Sequence, residues 1–308
     1  MSPEVEPRPL LVFLNEVAGG RKLLGSVRER VEAGTVSRVV VAAPQNQPAV
    51  GQLIDEGQLR EAARSRVEVT MAIFREFGIE SIGEILDHDP LLAIEDAVRA
   101  HEPGEVLLSA LSGERLGFTR RDFVASAEER VERAEAKFTH IPVRIEDDAI
   151  RWDVIHTLVV ATQTVAAPEL VNRLKERAAA QPHRYTIVCP RAEDVSEKAV
   201  VRDLAATLAE LYRSEVDGTG QPMSPDPFLA VKNAIEHYRI DEVLISTYSG
   251  EASRWLEEDL IGRVREITEK SVEHIEVGLQ PCPVGIGHLR EAVIGRAGRS
   301  VGTDPAHA

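Results

Sequence analysis

Short apolar runs and longer amphipathic stretches alternate along the chain from Leu10 onward. Leu10–Leu14 (LLVFL) and Arg38–Ala43 (RVVVAA) are continuous apolar runs rich in β-branched residues, the pattern of strands covered on both faces. Between them, GGRKLLGSVRERVEAG carries apolar positions at helical spacing and closes on a Gly, a usual helix stop. A long helix is predicted over Gly57–Phe77 and a weaker strand over Ile82–Leu86. Asp89-Pro90 then opens a further helix as N-cap and first residue, positions these two types favour. The strand Glu105–Ser109, a polar loop, a helix over Arg121–Ala134 and a last strand over Thr139–Ile145 follow. Such alternation implies right-handed crossovers and a parallel sheet with helices on both faces.

The same plan returns from about Trp152 to Leu279. Residues 104–114 read GEVLLSALSGE and residues 241–251 read DEVLISTYSGE, identical at seven of eleven positions at an offset of 137. DPLLAIEDA from Asp89 matches DPFLAVKNA from Asp226 at that offset, and FTHIPV from Phe138 faces VEHIEV from Val272 after a loss of about three residues. Earlier blocks match more loosely: LLVFLNEVAGG from Leu10 with TLVVATQTVAA from Thr157, and RVVVAAP from Arg38 with RYTIVCP from Arg184. Matching blocks in one order mark a duplication. The predicted fold is α/β, two tandem Rossmann-like domains over 9–146 and 152–279, each a five-stranded parallel sheet flanked by helices. VDGTGQPMSPDP stands where the third strand of the second copy belongs, with too many Gly and Pro for a central strand. A tail over 280–308 has no counterpart in the first copy, and a short helix is expected near His288–Ile294.

Composition adds limits. With 308 residues, 43% hydrophobic, there is material for two cores. Aromatics at 4% leave those cores to Val, Leu, Ile and Ala. A net charge of −15 disfavours nucleic acid and anionic membrane surfaces as partners. Cys189 and Cys282 have no CxxC partner or His at metal spacing and read as free thiols in a reducing compartment. MSPEVEPRP lacks the basic and apolar regions of a signal peptide, and nowhere do 18 apolar residues run together; the expectation is a soluble, cytoplasmic protein.

The block DEVLISTYSGEASRWLEEDLIGRVREITEKSVEHIEV, with DP-x-L-A-[IV]-x-x-A and [DG]-E-V-L-[LI]-S in both copies, resembles the universal stress protein family, in a tandem two-domain form of actinobacterial type. The resemblance implies the adenine nucleotide alpha hydrolase-like variety of the fold, with an edge strand that pairs two domains. It also implies ATP as the ligand of members that carry G-x-x-G, nine residues, G-[ST] after the fourth strand. This chain departs from that loop. Ser109, Ser112, Asp122 and Phe123 take those four places in the first copy, and Ser246, Ser249, Asp259 and Leu260 in the second. All three glycines are replaced, the last by Asp each time. A carboxylate close to a triphosphate is repelled by about 1 kcal/mol even at high dielectric. Asn15 and Thr162 stand where the family commonly places an Asp for the adenosine. Standard ATP binding is therefore not expected.

Two readings of the shared S-x-x-S-G-E remain open. In one it is a tight turn, with Gly113 and Gly250 at positive φ and Asp122 and Asp259 at helix N-termini. In the other the serines and neighbouring N–H groups bind a nucleotide or small anion. His140 and His274, equivalent in the last strands, read as interface or core residues, and His88 between Asp87 and Asp89 as part of a capping turn. Phe118 and Trp255 read as anchors of the post-loop segment, and the Glu-rich helices as solvated faces. Gly19-Gly20 could approach a phosphate, but Ala166-Ala167 replaces the pair in the second copy. No SGGxDS, HxGH or Walker A string occurs, and no nucleophile–base pair is legible.

The expected function is thus a non-enzymatic regulatory or interaction module whose halves pack as an internal pseudo-dimer through FTHIPV and VEHIEV. The alternative is a nucleotide (ATP or AMP) or small-anion sensor with clefts after the fourth strand of each domain. An ATP-cleaving enzyme is a third reading, for which the metal-holding carboxylate cannot be placed. Whether whole molecules form a homodimer, and which protein partner they meet, stays open.

Overall fold

The structure is a computed structural model. It describes residues 6–15, 18–46, 56–111, 118–143, 154–190, 195–223, 226–237, 240–249, 254–257 and 259–278. The first half runs β1 (Arg8–Leu14), α1 (Arg21–Glu32), β2 (Val36–Pro44), α2 (Glu56–Glu76), β3 (Ser81–Leu86), α3 (Pro90–His101), β4 (Glu105–Leu111), α4 (Phe118–Arg133) and β5 (Lys137–Val143). The second runs β6 (Ile155–Val160), α5 (Pro168–Ala180), β7 (His183–Pro190), α6 (Glu197–Arg213), β8 (Asp217–Met223), α7 (Pro227–His237), β9 (Glu242–Tyr248), α8 (Arg254–Glu257), α9 (Leu260–Ile267) and β10 (Ser271–Val277).

Among the described residues the strands form two five-stranded sheets, ordered β3-β2-β1-β4-β5 and β8-β7-β6-β9-β10. Every pairing in them is parallel. The two orders are the same topology. The register of the strands follows the matched sequence blocks. Leu10 pairs with Glu105 and Thr157 with Glu242, while Phe138 pairs with Val106 and Val272 with Val243. These are the equivalences of the sequence repeat, so the α/β Rossmann-like architecture is present twice.

Alternation along each strand divides the core. Leu11, Phe13, Val40 and Leu108 face α3 and α4, where Ile94, Ala97 and Val131 cover them. Leu158, Val160 and Val243 face α7 and α9 in the same way, under Val231, Ala234 and Val264. The opposite faces of both sheets share one continuous cluster, which includes Leu10, Val12, Val41 and Phe74 together with Val159, Ile187, Leu204 and Leu208. The two sheets belong to one compact unit that ends at Val277; a second begins at Gly278, the only one of its residues described.

The seam between the halves runs through α2 and α6, with α2 also against β8. Ser65 Oγ donates to Glu197 at 3.3 Å, and Arg213 donates to the Glu76 carbonyl at 2.9 Å while its guanidinium lies 4.9 Å from the Phe77 ring centre. The expected union of FTHIPV with VEHIEV is corrected here: β5 pairs with β4, β10 pairs with β9, and each is an edge of its own sheet. The reason lies in α6, which buries nine of its 17 residues, against two in α5. A stripe that wide exceeds what one sheet face needs.

DGTGQPM, unsuited to a central strand, is β8, an edge strand bonded to β7 alone. An edge tolerates Pro222, whose missing N–H costs no ladder bond on the open side. The glycines have a second use: a Cβ at Gly220 would stand 2.7 Å from Leu204 Cδ1 and 3.1 Å from the Ile187 carbonyl oxygen, so α6 sits close over the strand because that side chain is absent.

Asp89 and Asp226 cap α3 and α7 as their sequence positions require. Asp89 Oδ1 accepts from Leu91 N at 2.8 Å and Leu92 N at 3.1 Å; Asp226 Oδ1 accepts from Phe228 N at 2.9 Å and Leu229 N at 3.1 Å. Asp89→Ala is expected to destabilise by about 1 kcal/mol, read as a lowered urea midpoint at unchanged slope; a null shift would show that water caps the helix equally well. Among the described residues, no helix is long and apolar enough to cross a membrane.

Candidate functional site

In an open parallel sheet the cleft forms where neighbouring strands lead their crossovers to opposite faces. Here that point lies between the carboxyl ends of β1 and β4, and again between those of β6 and β9. In the first half Asn15 follows β1 and is buried; its backbone N–H donates to the Ser109 carbonyl at 2.9 Å. Its side-chain oxygen accepts from Asn46 Nδ2 at 2.8 Å, and Asn46 Oδ1 accepts in turn from Arg66 Nη2 at 2.8 Å. Arg66 also donates to the Pro44 carbonyl at 2.6 Å and is 2% exposed. A buried guanidinium thus ties the ends of β1 and β2 together, and the Asn15 amide is engaged inside the protein.

The second half reaches the same end with hydroxyls. Thr162 Oγ1 donates to the Pro190 carbonyl at 2.6 Å, and Thr164 Oγ1 donates to the Ser246 carbonyl at 3.0 Å. Ser249 N donates to the Val277 carbonyl at 2.9 Å, tying the end of β9 to the end of β10. Asp259 sits at φ 49°, ψ 42° as the N-cap of α9, its Oδ1 accepting from Gly262 N at 3.2 Å. A Cβ at residue 262 would fall 2.4 Å from Asp259 Oδ2, so Gly262 is what lets the carboxylate close over the helix end.

Its counterpart is placed differently. α4 begins at Phe118, so Asp122 lies in the second turn rather than at the N-terminus expected of it; its side chain lies outside the described set, as do Ser112, Gly113 and Gly250. Ser109 and Ser246 share a distinct feature. Both are buried, at 0% and 1% exposure, and neither hydroxyl has a hydrogen-bond partner among the described residues.

The histidines divide. His274 is half-buried, with Nε2 2.9 Å from Thr247 Oγ1; burial holds its pKa below the ordinary value, and burial does the same for His140. His88 is exposed beside Asp87 while Asp89 caps α3. Among the described residues no group of three or more His, Cys, Asp and Glu could hold a metal ion. Cys189 is buried and its thiol pushed up by burial, the opposite of a reactive thiolate; Cys282 lies outside the described residues. Trp255 packs on the core of the second sheet.

At the other end of each sheet lies a repeated ion pair that sequence reading passed over. Arg30 Nε and Nη2 donate to the two oxygens of Glu105, both at 2.7 Å, with Thr139 Oγ1 donating at 2.7 Å. In the second half Arg177 bonds Glu242 and Glu273, and Thr157 Oγ1 donates to Glu242 at 2.6 Å. Glu105 and Glu242 are the Glu of GEVLLS and DEVLIS. They stand at the amino ends of β4 and β9, away from the clefts, and hold helix to sheet.

No protein-family model matches the chain, and no curated protein matches it. Among solved structures, a universal stress protein from Archaeoglobus fulgidus is similar at 13% identity, with 87% of this chain and 96% of that chain covered and a TM-score of 0.31. A putative universal stress protein from Pseudomonas aeruginosa gives 15% identity, 88% and 94% coverage and a TM-score of 0.29. A universal stress protein family member from Burkholderia pseudomallei gives 14% identity, 43% and 96% coverage and a TM-score of 0.30.

Proposed function

We propose that the chain is a tandem regulatory or interaction module of the universal stress protein type, non-enzymatic and without the standard ATP mode. The observation that carries the second part is the capping of α9 by Asp259, whose carboxylate accepts from the helix-end N–H that a phosphate would otherwise use. An anion placed there would meet a negative charge instead of free donors. Asn15 and Thr162 support the same reading, since both side chains are engaged within the protein.

Titration calorimetry with ATP and Mg²⁺, on protein first checked for co-purified nucleotide, tests it. The expected result is no binding heat and no bound nucleotide. Micromolar affinity, about −8 kcal/mol, would overturn the reading and make the Ser/Asp loops a working nucleotide site.

A further inference from the structure

Among the described residues the two sheets have four edge strands, β3, β5, β8 and β10, and three of them carry a device against a further strand. β5 has Lys137 and Pro142, and β10 has Glu273 and Glu276. β8 has Pro222 and is braced against α1 by the 2.7 Å pair of Arg21 and Asp217. Charges and prolines of this kind keep an edge from pairing with other chains. β3, SIGEIL, has neither Pro nor Lys. Its one charge, Glu84, is engaged by His101 Nε2 at 2.7 Å.

β3 is bonded to β2 alone, in parallel register from Ser81 to Leu86. Beyond that ladder Gln45 Nε2 donates to the Leu86 carbonyl at 2.9 Å, and no other backbone bond to the strand is made among the described residues. A row of N–H and C=O groups therefore faces outward. The middle of the strand is uncovered, with Ile82 50% exposed and Gly83 exposed as well. Gly83 serves the inner packing: a Cβ there would fall 2.5 Å from Met71 Sδ and 2.6 Å from Val67 Cγ1, so α2 lies close over one face. The edge is acidic. Residues 75–89 hold five carboxylates, Glu76, Glu80, Glu84, Asp87 and Asp89, against one arginine, Arg75. Glu76 lies 3.5 Å from Arg213, Asp87 pairs with His88 and Asp89 caps α3, while Glu80 is exposed just before the strand. A second copy is a poor occupant, because antiparallel β3 strands would set Glu80 of one near Asp87 of the other, and like charges across strands repel.

We infer that the edge of β3 is a docking site for an extended segment of another protein, β-branched and apolar in its middle and basic at its ends. Such a segment adds a strand to the five-stranded sheet through main-chain hydrogen bonds. Ile82 supplies the apolar contact, and Glu80 and Asp87 select the basic ends. The net charge of −15 draws a basic partner from a distance. The inference rests on the reading of the chain as an interaction module, and the two fail separately. β2 stands between β3 and the cleft beside β1, so nucleotide binding would correct that reading without changing this edge. A silent edge would leave a module that uses another face.

The full chain titrated with the synthetic peptide KKVTVTVKK is the test, read by fluorescence anisotropy and amide hydrogen exchange. Saturable binding is expected, with exchange slowed over residues 81–86 and unchanged over 271–277. The peptide EEVTVTVEE should bind about tenfold more weakly. Ile82→Lys, at an exposed position, should weaken binding of KKVTVTVKK about tenfold with little change in the thermal midpoint. Glu80→Lys should narrow the preference for basic ends severalfold. Glu276→Lys on β10, which changes the net charge equally, should keep the wild-type affinity. No binding up to about 1 mM peptide would overturn the inference. So would equal binding of KKGSGSGKK, which would reduce the contact to charge alone, slowed exchange on another strand instead of β3, or wild-type affinity in both Ile82→Lys and Glu80→Lys.

Discussion

Arg30→Met is expected to lower the thermal midpoint by about 5 °C, a loss of about 3 kcal/mol spread over a cooperative unit of this size. Arg30 and Glu105 are only 17% and 15% exposed, so breaking the pair strands a carboxylate in a poorly solvated place. Thr139 and the exposed Lys137, 3.2 Å away, offset part of the loss, which puts the cost at the low end for a buried pair. Arg30 also donates to the Ser26 carbonyl of its own helix, so the side chain is held along α1 while it grips Glu105 of β4. Acid should remove the same contribution. Burial alone would raise the Glu105 carboxyl, but hydrogen bonds from Arg30 and Thr139 and the Arg30 charge more than reverse this and hold it at about 2, against 4.5 for the ordinary group. The folded value lies below the unfolded one, so the unfolded chain takes up the proton first. The contribution is complete above pH 4.5 and lost as pH falls from there toward 2. Glu105→Gln should therefore be less stable than wild type at pH 7 and lose less between pH 4.5 and 2. Urea midpoints that fall in parallel for both proteins across that window would sink the assignment.

Much of this was legible in the chain. The apolar runs named the strands of the first half within a few residues, Asp89-Pro90 named a helix start, and GEVLLS with DEVLIS gave the register of the central strands twice. Glu105 and Glu242 sat inside that motif, yet their partners lie 75 and 65 residues away, a distance no local pattern spans. Arg66 could have been noticed: it falls between Ala63 and Val67 on the buried stripe of α2, where a charge needs a partner. The misplaced seam has a similar cause. The Val-Leu-Ala stripe of α6 is visible in the sequence, but one pattern of periodicity serves a helix covering a sheet and a helix covering a sheet and another helix. The third strand of the second half was misjudged because its glycines and Pro were weighed against a central place, when the topology puts that strand at an edge. Of the candidate site, the departure at Asp259 was readable; that it caps its own helix required the αL backbone at that residue.

The shared core makes a second large effect measurable: the two halves should melt as one. Val12, Val41 and Phe74 from the first half and Ile187, Leu204 and Leu208 from the second belong to one apolar cluster, so unfolding either half strips cover from the other. Loops alone joining two lobes would allow separate transitions. A continuous core predicts a single calorimetric peak whose van't Hoff and calorimetric enthalpies agree, with a heat-capacity change of about 3–4 kcal/mol/K for some 270 residues. Two independent halves would give two peaks, or one with a calorimetric enthalpy near twice the van't Hoff value. The same physics bears on the halves made separately. Residues 152–279 alone would present the nine-residue buried stripe of α6 with α2 missing from its outer side, an apolar patch of the kind that drives association. That fragment is expected to aggregate or to bind a hydrophobic dye strongly where the full chain does not. A monomeric, dye-silent fragment with its own sharp transition would mean that the cluster, continuous as it is, couples the halves only weakly.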